Sequence, residues 1–170
     1  MSVESAIFEQ LKNLTGSKTL ILGIGQVLKG DDGAGPLLCE KLSDKTSAEI
    51  IEAGTVPENY IQSIVKKAPE NLLILDAMDF EAEPGTVKVF FAEQLSLAAF
   101  STHTLSPRLF IDLVRQQLDV NVYLIGIQPA HLEFGQPLSP AVSVALDTLV
   151  NIFIKIFPLP QSSTKNTDLG

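Results

Sequence analysis

The apolar residues of this chain follow two spacings, which predict helices alternating with strands. A period of three to four residues predicts helices over residues 3–14, from about 35 through 42, and over 57–67, 106–118 and 141–157. Short apolar runs predict strands over residues 19–24, 49–51, 71–75, 86–91 and 121–127. Because most of these strands are apolar on both sides, the pattern predicts an α/β fold: a mostly parallel, twisted sheet with helices on both faces. The alternation over residues 86–91 is imperfect, which suggests an edge strand.

The length of the chain is sufficient for one domain. It has 170 residues, and the periodic elements predict a single α/β domain over residues 1–157. Residues 158–170 are polar and lack periodicity, so we expect a flexible C-terminal tail. We also expect the protein to be a monomer.

The charge and the cysteine content of the chain indicate which binding partners and which cellular compartment to expect. The formal net charge of −8 argues against a nucleic-acid partner, since a surface that binds nucleic acid must neutralise phosphates. Cys39 is the only cysteine, which excludes an intramolecular disulfide and favours a reducing compartment, by default the cytoplasm. The N-terminus lacks the pattern of a signal peptide, and no apolar run approaches the roughly 18 residues of a membrane span. We therefore expect no membrane partner.

A glycine-rich loop follows the first predicted strand. Gly25 and Gly30 have the spacing of a phosphate-binding loop, but Asp31 and Asp32 follow where such a loop has Lys and Ser or Thr. Two carboxylates at this point would repel a phosphate and attract a cation. The dinucleotide-binding fingerprint also fails, because its third glycine would stand where the chain has Leu28. A nucleotide-binding or flavin-binding module therefore remains only an alternative from another functional class.

Three candidate ligands follow predicted strands. In doubly wound folds the ligand lies outside the carboxyl ends of the strands. Asp32 lies beyond the first strand, Asp76 directly at the end of a central one, and His103 in a polar loop. Two carboxylates and an imidazole can form an open site for a borderline divalent metal such as zinc or nickel.

Each candidate also has a structural interpretation. Asp32 could cap the helix that follows, and its neighbour Asp31 competes for either role. Asp76 could accept hydrogen bonds from a following turn. The two carboxylates could instead share a proton as an aspartic-protease-like dyad, but such a dyad has no evident use for a histidine. His131, the other histidine, is interpreted as a solvated loop residue rather than a ligand.

Several short motifs follow one another over roughly residues 19–150. They are Gly23-Ile24-Gly25, Gly30-Asp31-Asp32-Gly33-Ala34-Gly35-Pro36, Ala53-Gly54-Thr55-Val56-Pro57-Glu58-Asn59, Asp76-Ala77-Met78-Asp79, Pro84-Gly85, Ser101-Thr102-His103 and Gly126-Ile127-Gln128-Pro129. In type and order they resemble the [NiFe]-hydrogenase maturation endopeptidases, most closely the branch that serves formate-hydrogenlyase-type hydrogenases. An ordered series of motifs is far more specific than any single one.

The resemblance implies an endopeptidase that removes the C-terminal extension from the precursor of a [NiFe]-hydrogenase large subunit after nickel insertion. The metal-binding residues of the family match Asp32, Asp76 and His103, to which the resemblance also assigns the catalytic role. It implies that the nickel is held by the substrate and serves both recognition and cleavage, while zinc or cadmium can occupy the site in the isolated protein. A nickel chaperone or docking protein that uses the same ligands without cleavage is the alternative.

The chain departs from the family pattern at two positions. Gln26 stands where the family usually has Asn, and a left-handed backbone there would suit Gln less well. Glu52 stands where the family usually has Asp, before a Gly-Gly-Thr-like turn that is Ala53-Gly54-Thr55 in this chain. We therefore assign Glu52, Gly54 and Thr55 an auxiliary role only.

Overall fold

The computed structural model describes residues 1–95 and 105–162. In this part of the chain the helices are α1 (Val3–Leu11), α2 (Ala34–Leu42), α3 (Ile61–Lys67), α4 (Pro107–Arg115) and α5 (Pro140–Ile156). The strands are β1 (Thr19–Ile24), β2 (Glu49–Gly54), β3 (Asn71–Ala77), β4 (Val87–Phe91) and β5 (Asn121–Ile127). Helices and strands alternate along most of this order, and the predicted α/β class is confirmed.

The strands form one sheet in the order β2-β1-β3-β5-β4. All neighbouring strands are parallel except β4, which runs antiparallel to β5 at the edge. The predicted edge strand is therefore confirmed. The chain leaves β1 toward β2 on one side and returns to β3 on the other, so strand order reverses at β1 and β3. Such a reversal opens a crevice at the carboxyl ends of the two strands, where doubly wound proteins bind their ligands.

Apolar residues of the sheet bury both of its faces against helices. Ile21 and Leu73 lie in one core with α1, α2 and α5, whereas Leu22 and Ile74 lie in a second core with α3 and α4. Every residue of β1 and β3 is buried. This two-sided burial explains why these strands are continuous apolar runs rather than alternating ones.

Two strands extend further than predicted. β2 continues through Glu52 to Gly54, and β3 continues through Asp76 to Ala77. Within β3, Asp76 pairs with Gly126 of the parallel strand β5, and pairing continues for one more residue. The prediction that β3 stops before Asp76 is therefore wrong, because backbone pairing with β5 continues past the charged side chain.

Helix boundaries follow local capping chemistry. Ser106 and Ser139 are the N-caps of α4 and α5, and each is followed by a proline in the first helical position. The helix predicted over residues 57–67 is divided into a 3₁₀ turn, Pro57–Tyr60, and the shorter α3.

Helix α2 packs very closely on the end of the sheet. A Cβ atom added to Gly35 would lie 2.7 Å from the backbone nitrogen of Ile24 and 2.8 Å from the carbonyl oxygen of Leu75. Only glycine permits this approach, so the beginning of α2 is held directly against the ends of β1 and β3.

No helix within residues 1–95 and 105–162 is both long and apolar enough to cross a membrane. After α5, residues 158–162 form no helix or strand, and residues 163–170 lie outside the described part. The flexible tail therefore stays a prediction.

Candidate active site

Asp32 lies in a 3₁₀ turn, Gly30–Gly33, between β1 and α2. Its side chain is buried, with 2% of the residue exposed, and its Oδ2 accepts a hydrogen bond from the Gln26 amide at 3.0 Å. The N-cap of α2 is Gly33, and no side chain in the described part of the chain makes a capping hydrogen bond there. The interpretation of Asp32 as the helix cap is therefore wrong.

The adjacent Asp31 is an internal anchor. It is completely buried, and its carboxylate accepts hydrogen bonds from the amides of Ala130, His131 and Ser139 at 2.8, 3.3 and 2.7 Å. The Ser139 hydroxyl donates a further bond at 2.9 Å. A buried carboxylate with several donors is well compensated for its lost hydration. Asp31 therefore ties the Gly30–Gly33 turn to the segment that leads into α5, which separates its role from that of Asp32.

Asp76 lies near the carboxyl end of β3 and is 1% exposed. It lines a small enclosed pocket on the α3 and α4 side of the sheet, together with Ile24, Leu105 and Phe110. β1 and β3 are adjacent and parallel, so the turn that follows β1 and the last residues of β3 lie at the same end of the sheet. Asp32 and Asp76 therefore lie at the same end of the sheet, at the strands where its order reverses.

The third predicted ligand, His103, lies outside the described residues. Within residues 1–95 and 105–162, no three His, Cys, Asp or Glu side chains are grouped closely enough to hold a metal ion. Leu105, just after the undescribed segment, lines the same pocket as Asp76. A three-residue metal site stays a prediction.

The three predicted auxiliary residues have different surroundings. The Gly54 carbonyl accepts a hydrogen bond from the Gly25 amide at 2.9 Å, so β2 supports the loop that carries Asp32. Glu52 is exposed and pairs with Gly23, on the sheet face that packs against α2. Burial, then the charge of Glu52, raises the pKa of the Cys39 thiol to about 12. The Glu52 side chain thus faces Cys39, on the opposite side of the sheet from Asp76.

Thr55 is exposed in the turn after β2.

Gln26 does not adopt a left-handed backbone. Among the described residues, the non-glycine positions with positive φ are Asp44, Ala68 and Glu81. The unusual conformation falls on Gly25 instead, with φ of +146°, where an added Cβ would collide with the Asp32 carbonyl oxygen. Gln26 also accepts a hydrogen bond from the Leu28 amide through its Oε1 at 3.2 Å. The expectation that Gln is poorly suited to this position is therefore wrong.

Backbone amides of the glycine-rich loop already have acceptors within the protein. In a phosphate-binding loop these amides point at the ligand instead. The donating residues are Gly25, Gln26, Leu28, Lys29, Gly30, Asp31 and Asp32. These seven amides are therefore engaged within the protein and do not form the cradle of donors that a nucleotide or flavin phosphate needs.

Gln128 supports the loop after β3, a role that its motif alone did not reveal. Its Oε1 accepts hydrogen bonds from the amides of Phe80 and Ala82 at 2.8 and 3.2 Å, and its Nε2 donates to Asp79 at 3.2 Å. Hydrogen bonds from the Glu81 amide and then from Gln128 lower the pKa of Asp79. Gln128 itself is buried, so one amide side chain fixes the segment next to Asp76.

The structure corrects the interpretation of His131. The residue is half-buried, and its buried Nδ1 has no hydrogen-bond partner among residues 1–95 and 105–162. A Cβ atom added to Gly30 would lie 2.5 Å from this nitrogen. The ring therefore packs on the turn that carries Asp32, and His131 is not a solvated loop residue.

Fold and site together define an α/β protein with two buried carboxylates at the switch point of a doubly wound sheet. The sequence profile of the hydrogenase maturation proteases, the HycI family, matches residues 36–156. The chain belongs to the hydrogenase maturation protease family and is a peptide-bond hydrolase.

Individual relatives agree with this assignment. The chain is 32% identical to the hydrogenase 3 maturation protease of Escherichia coli, over 76% of this chain and 85% of that protein. It is 30% identical to a putative hydrogenase maturation protease of Methanocaldococcus jannaschii, over 91% of this chain and 95% of that protein. The crystal structure of a [NiFe] hydrogenase maturation protease from Thermococcus kodakarensis superposes with a TM-score of 0.79 at 26% identity, covering 86% of this chain and 97% of that one.

Proposed function

We propose that this protein removes the C-terminal extension from the precursor of a [NiFe]-hydrogenase large subunit once nickel has been inserted. The observation that carries the proposal is the pair of buried carboxylates, Asp32 and Asp76, at the switch-point crevice of a hydrogenase maturation protease. A peptide that reaches this crevice meets negative charge, and a bound cation compensates that charge.

Nickel enters the crevice as part of the substrate. Carboxylate oxygens and imidazole nitrogen are suitable ligands for a borderline divalent ion, so Asp32, Asp76 and His103 form the proposed contact with it. When bound, the ion supplies a positive charge that polarises nearby carbonyl groups. Zinc or cadmium fits the same ligands in the isolated protein. An aspartic-protease-like dyad of Asp32 and Asp76 is the competing arrangement.

Residues of the chain hold these groups in place. The Gln26 amide binds one oxygen of Asp32, and the Asp31 anchor fixes the turn on which Asp32 lies. Asp76 pairs with Gly126 of β5 and directly follows Leu75, the last residue of β3 that pairs with β1, so the sheet fixes its backbone. Ile24, Leu105 and Phe110 make the adjoining pocket apolar, which limits the access of water to the Asp76 carboxylate. A site that stabilises charge during a reaction requires its charged groups to be held rigidly in this way.

A nickel chaperone or docking protein would use the same carboxylates without cleavage. We favour the protease because the chain belongs to a family of proteases. The single, buried Cys39 accords with a reducing compartment, and we propose the cytoplasm and a monomeric protein.

Incubation with a defined precursor tests the proposal. The purified protein is mixed with nickel-loaded or nickel-free large-subunit precursor, and the mass of the precursor is followed over time. We expect the loaded precursor alone to lose its C-terminal peptide. A stable complex with uncut precursor would favour the chaperone, whereas equal cleavage of both forms would contradict recognition through nickel.

A further inference from the structure

Three exposed apolar side chains lie next to the turn that carries Asp32. Val27, Leu28 and Phe134 are 47%, 65% and 73% exposed, and they line one surface groove. Grouped apolar side chains on a surface mark sites of interaction more often than isolated ones do.

Backbone contacts hold this surface rigidly. The Gly135 amide donates to the Leu28 carbonyl at 2.9 Å, and the Gly30 amide donates to the Gln136 carbonyl at 3.1 Å. The Lys29 ammonium group lies 5.8 Å from the centre of the Phe134 ring. The two loops therefore hold the backbone that carries these side chains in a fixed arrangement, so little backbone entropy is lost on binding.

The surface is continuous with the candidate active site. Gln26, which precedes Val27, donates its amide to the Asp32 carboxylate. A Cβ atom added to Gly33 would lie 3.0 Å from the Val27 Cα, so the loop packs directly on the Asp32 turn. The surface formed by Val27, Leu28 and Phe134 therefore adjoins the turn that carries Asp32.

We propose that Val27, Leu28 and Phe134 form the docking surface for an apolar segment of the polypeptide substrate, close to the bond that is cut. The inference rests on the proposed function and adds to it the chemistry of the segment that is recognised. An apolar contact suits an enzyme with a net charge of −8, which attracts acidic partners poorly at long range. Because the apolar segment itself does not react, the contact contributes equally to the bound substrate and to the transition state.

Steady-state cleavage of the nickel-loaded precursor tests the surface. Leu28→Ser and Phe134→Ser should each raise KM by about fivefold or more and change kcat by less than about twofold, as expected when uniform binding is lost. Val144→Ser is the matched control, because Val144 is 66% exposed but lies on α5 in a different groove. Its KM should equal that of the wild-type protein. All three variants should keep the wild-type melting temperature.

Cross-linking provides a readout that does not depend on cleavage. A photoreactive amino acid at position 28 should form a covalent adduct with the purified precursor, and one at position 144 should not. An unchanged KM in both Leu28→Ser and Phe134→Ser, or an adduct from position 144 alone, contradicts the proposed docking surface. Neither result affects the proposed function. A wild-type protein that leaves the loaded precursor uncut overturns the proposed function, even if position 28 forms an adduct.

Discussion

Asp31 and Ser139 are joined by two hydrogen bonds: the Ser139 amide donates to Oδ1 at 2.7 Å, and its hydroxyl donates to Oδ2 at 2.9 Å. The same hydroxyl accepts a hydrogen bond from the Val142 amide as the N-cap of α5. One serine thus couples the start of α5 to the turn that presents Asp32. The position of the Asp32 carboxylate depends on a contact made more than a hundred residues away along the chain.

Ser139→Ala should destabilise the protein more than loss of an ordinary cap does. Loss of an N-cap hydroxyl costs about 1 kcal/mol, and loss of a hydrogen bond to a buried carboxylate adds about 1.5 to 3 kcal/mol. Ser106→Ala is the matched control, since Ser106 caps α4 by the same bond to the Leu109 amide. Urea unfolding of both variants measures the difference, and equal losses would show that the Asp31 contact adds nothing.

Gly25→Ala should disrupt the loop of the candidate site. An added methyl group would collide with the Asp32 carbonyl oxygen at a φ of +146°, so we expect a loss of more than about 3 kcal/mol in the free energy of unfolding. Gly16→Ala is the control, because Gly16 also has positive φ, +81°, but nothing within 4 Å of an added Cβ. That variant should lose only about 1 to 2 kcal/mol. Similar melting temperatures for the two variants would contradict the close packing at Gly25.

Cys39 should resist alkylation in the folded protein. Burial raises the pKa of its thiol from 9.0 to about 12, and the nearby charge of Glu52 acts in the same direction. Iodoacetamide at pH 8 should therefore leave the native protein unmodified and react once the protein is unfolded, as mass spectrometry can show.

The same shift in pKa predicts the direction of a pH effect on stability. Above pH 9 the thiol of the unfolded chain loses its proton while the folded chain retains it, so deprotonation favours the unfolded state. The free energy of unfolding should fall between pH 9 and about 12. The Cys39 thiol should contribute about 1 kcal/mol of this loss per pH unit. Cys39→Ala should show a shallower decline, and an identical decline in both proteins would contradict the shift.

Local pattern was sufficient to predict the fold but not all of its boundaries. Apolar runs such as Leu72–Leu75 identify buried parallel strands, and irregular alternation marked β4 as the edge strand. The end of β3 was misplaced because a charged residue usually ends an apolar run. Pairing between Asp76 and Gly126 is a tertiary contact that no local pattern contains.

The roles of the two adjacent aspartates could not be separated from sequence for the same reason. Asp31 and Asp32 have identical side chains and almost identical neighbours. The donors that make Asp31 an anchor come from residues 130–139, whereas Asp32 contacts Gln26 within its own loop. The sequence showed that both aspartates follow the first strand. Their separate roles depend on contacts with distant residues, which only the folded structure shows.

The rate of precursor cleavage by Asp32→Asn and Asp76→Asn tests the account most directly. Each substitution removes one negative charge and nearly preserves the shape of the side chain, so the folded structure should persist while the contact with the substrate's nickel is lost. Nickel-loaded precursor is incubated with each variant, its mass is followed over time, and the melting temperature of each variant is recorded. We predict that cleavage falls by at least about a hundredfold in both variants, with melting temperatures close to wild type. Cleavage at the wild-type rate by either folded variant would contradict the claim that these two carboxylates form the active site.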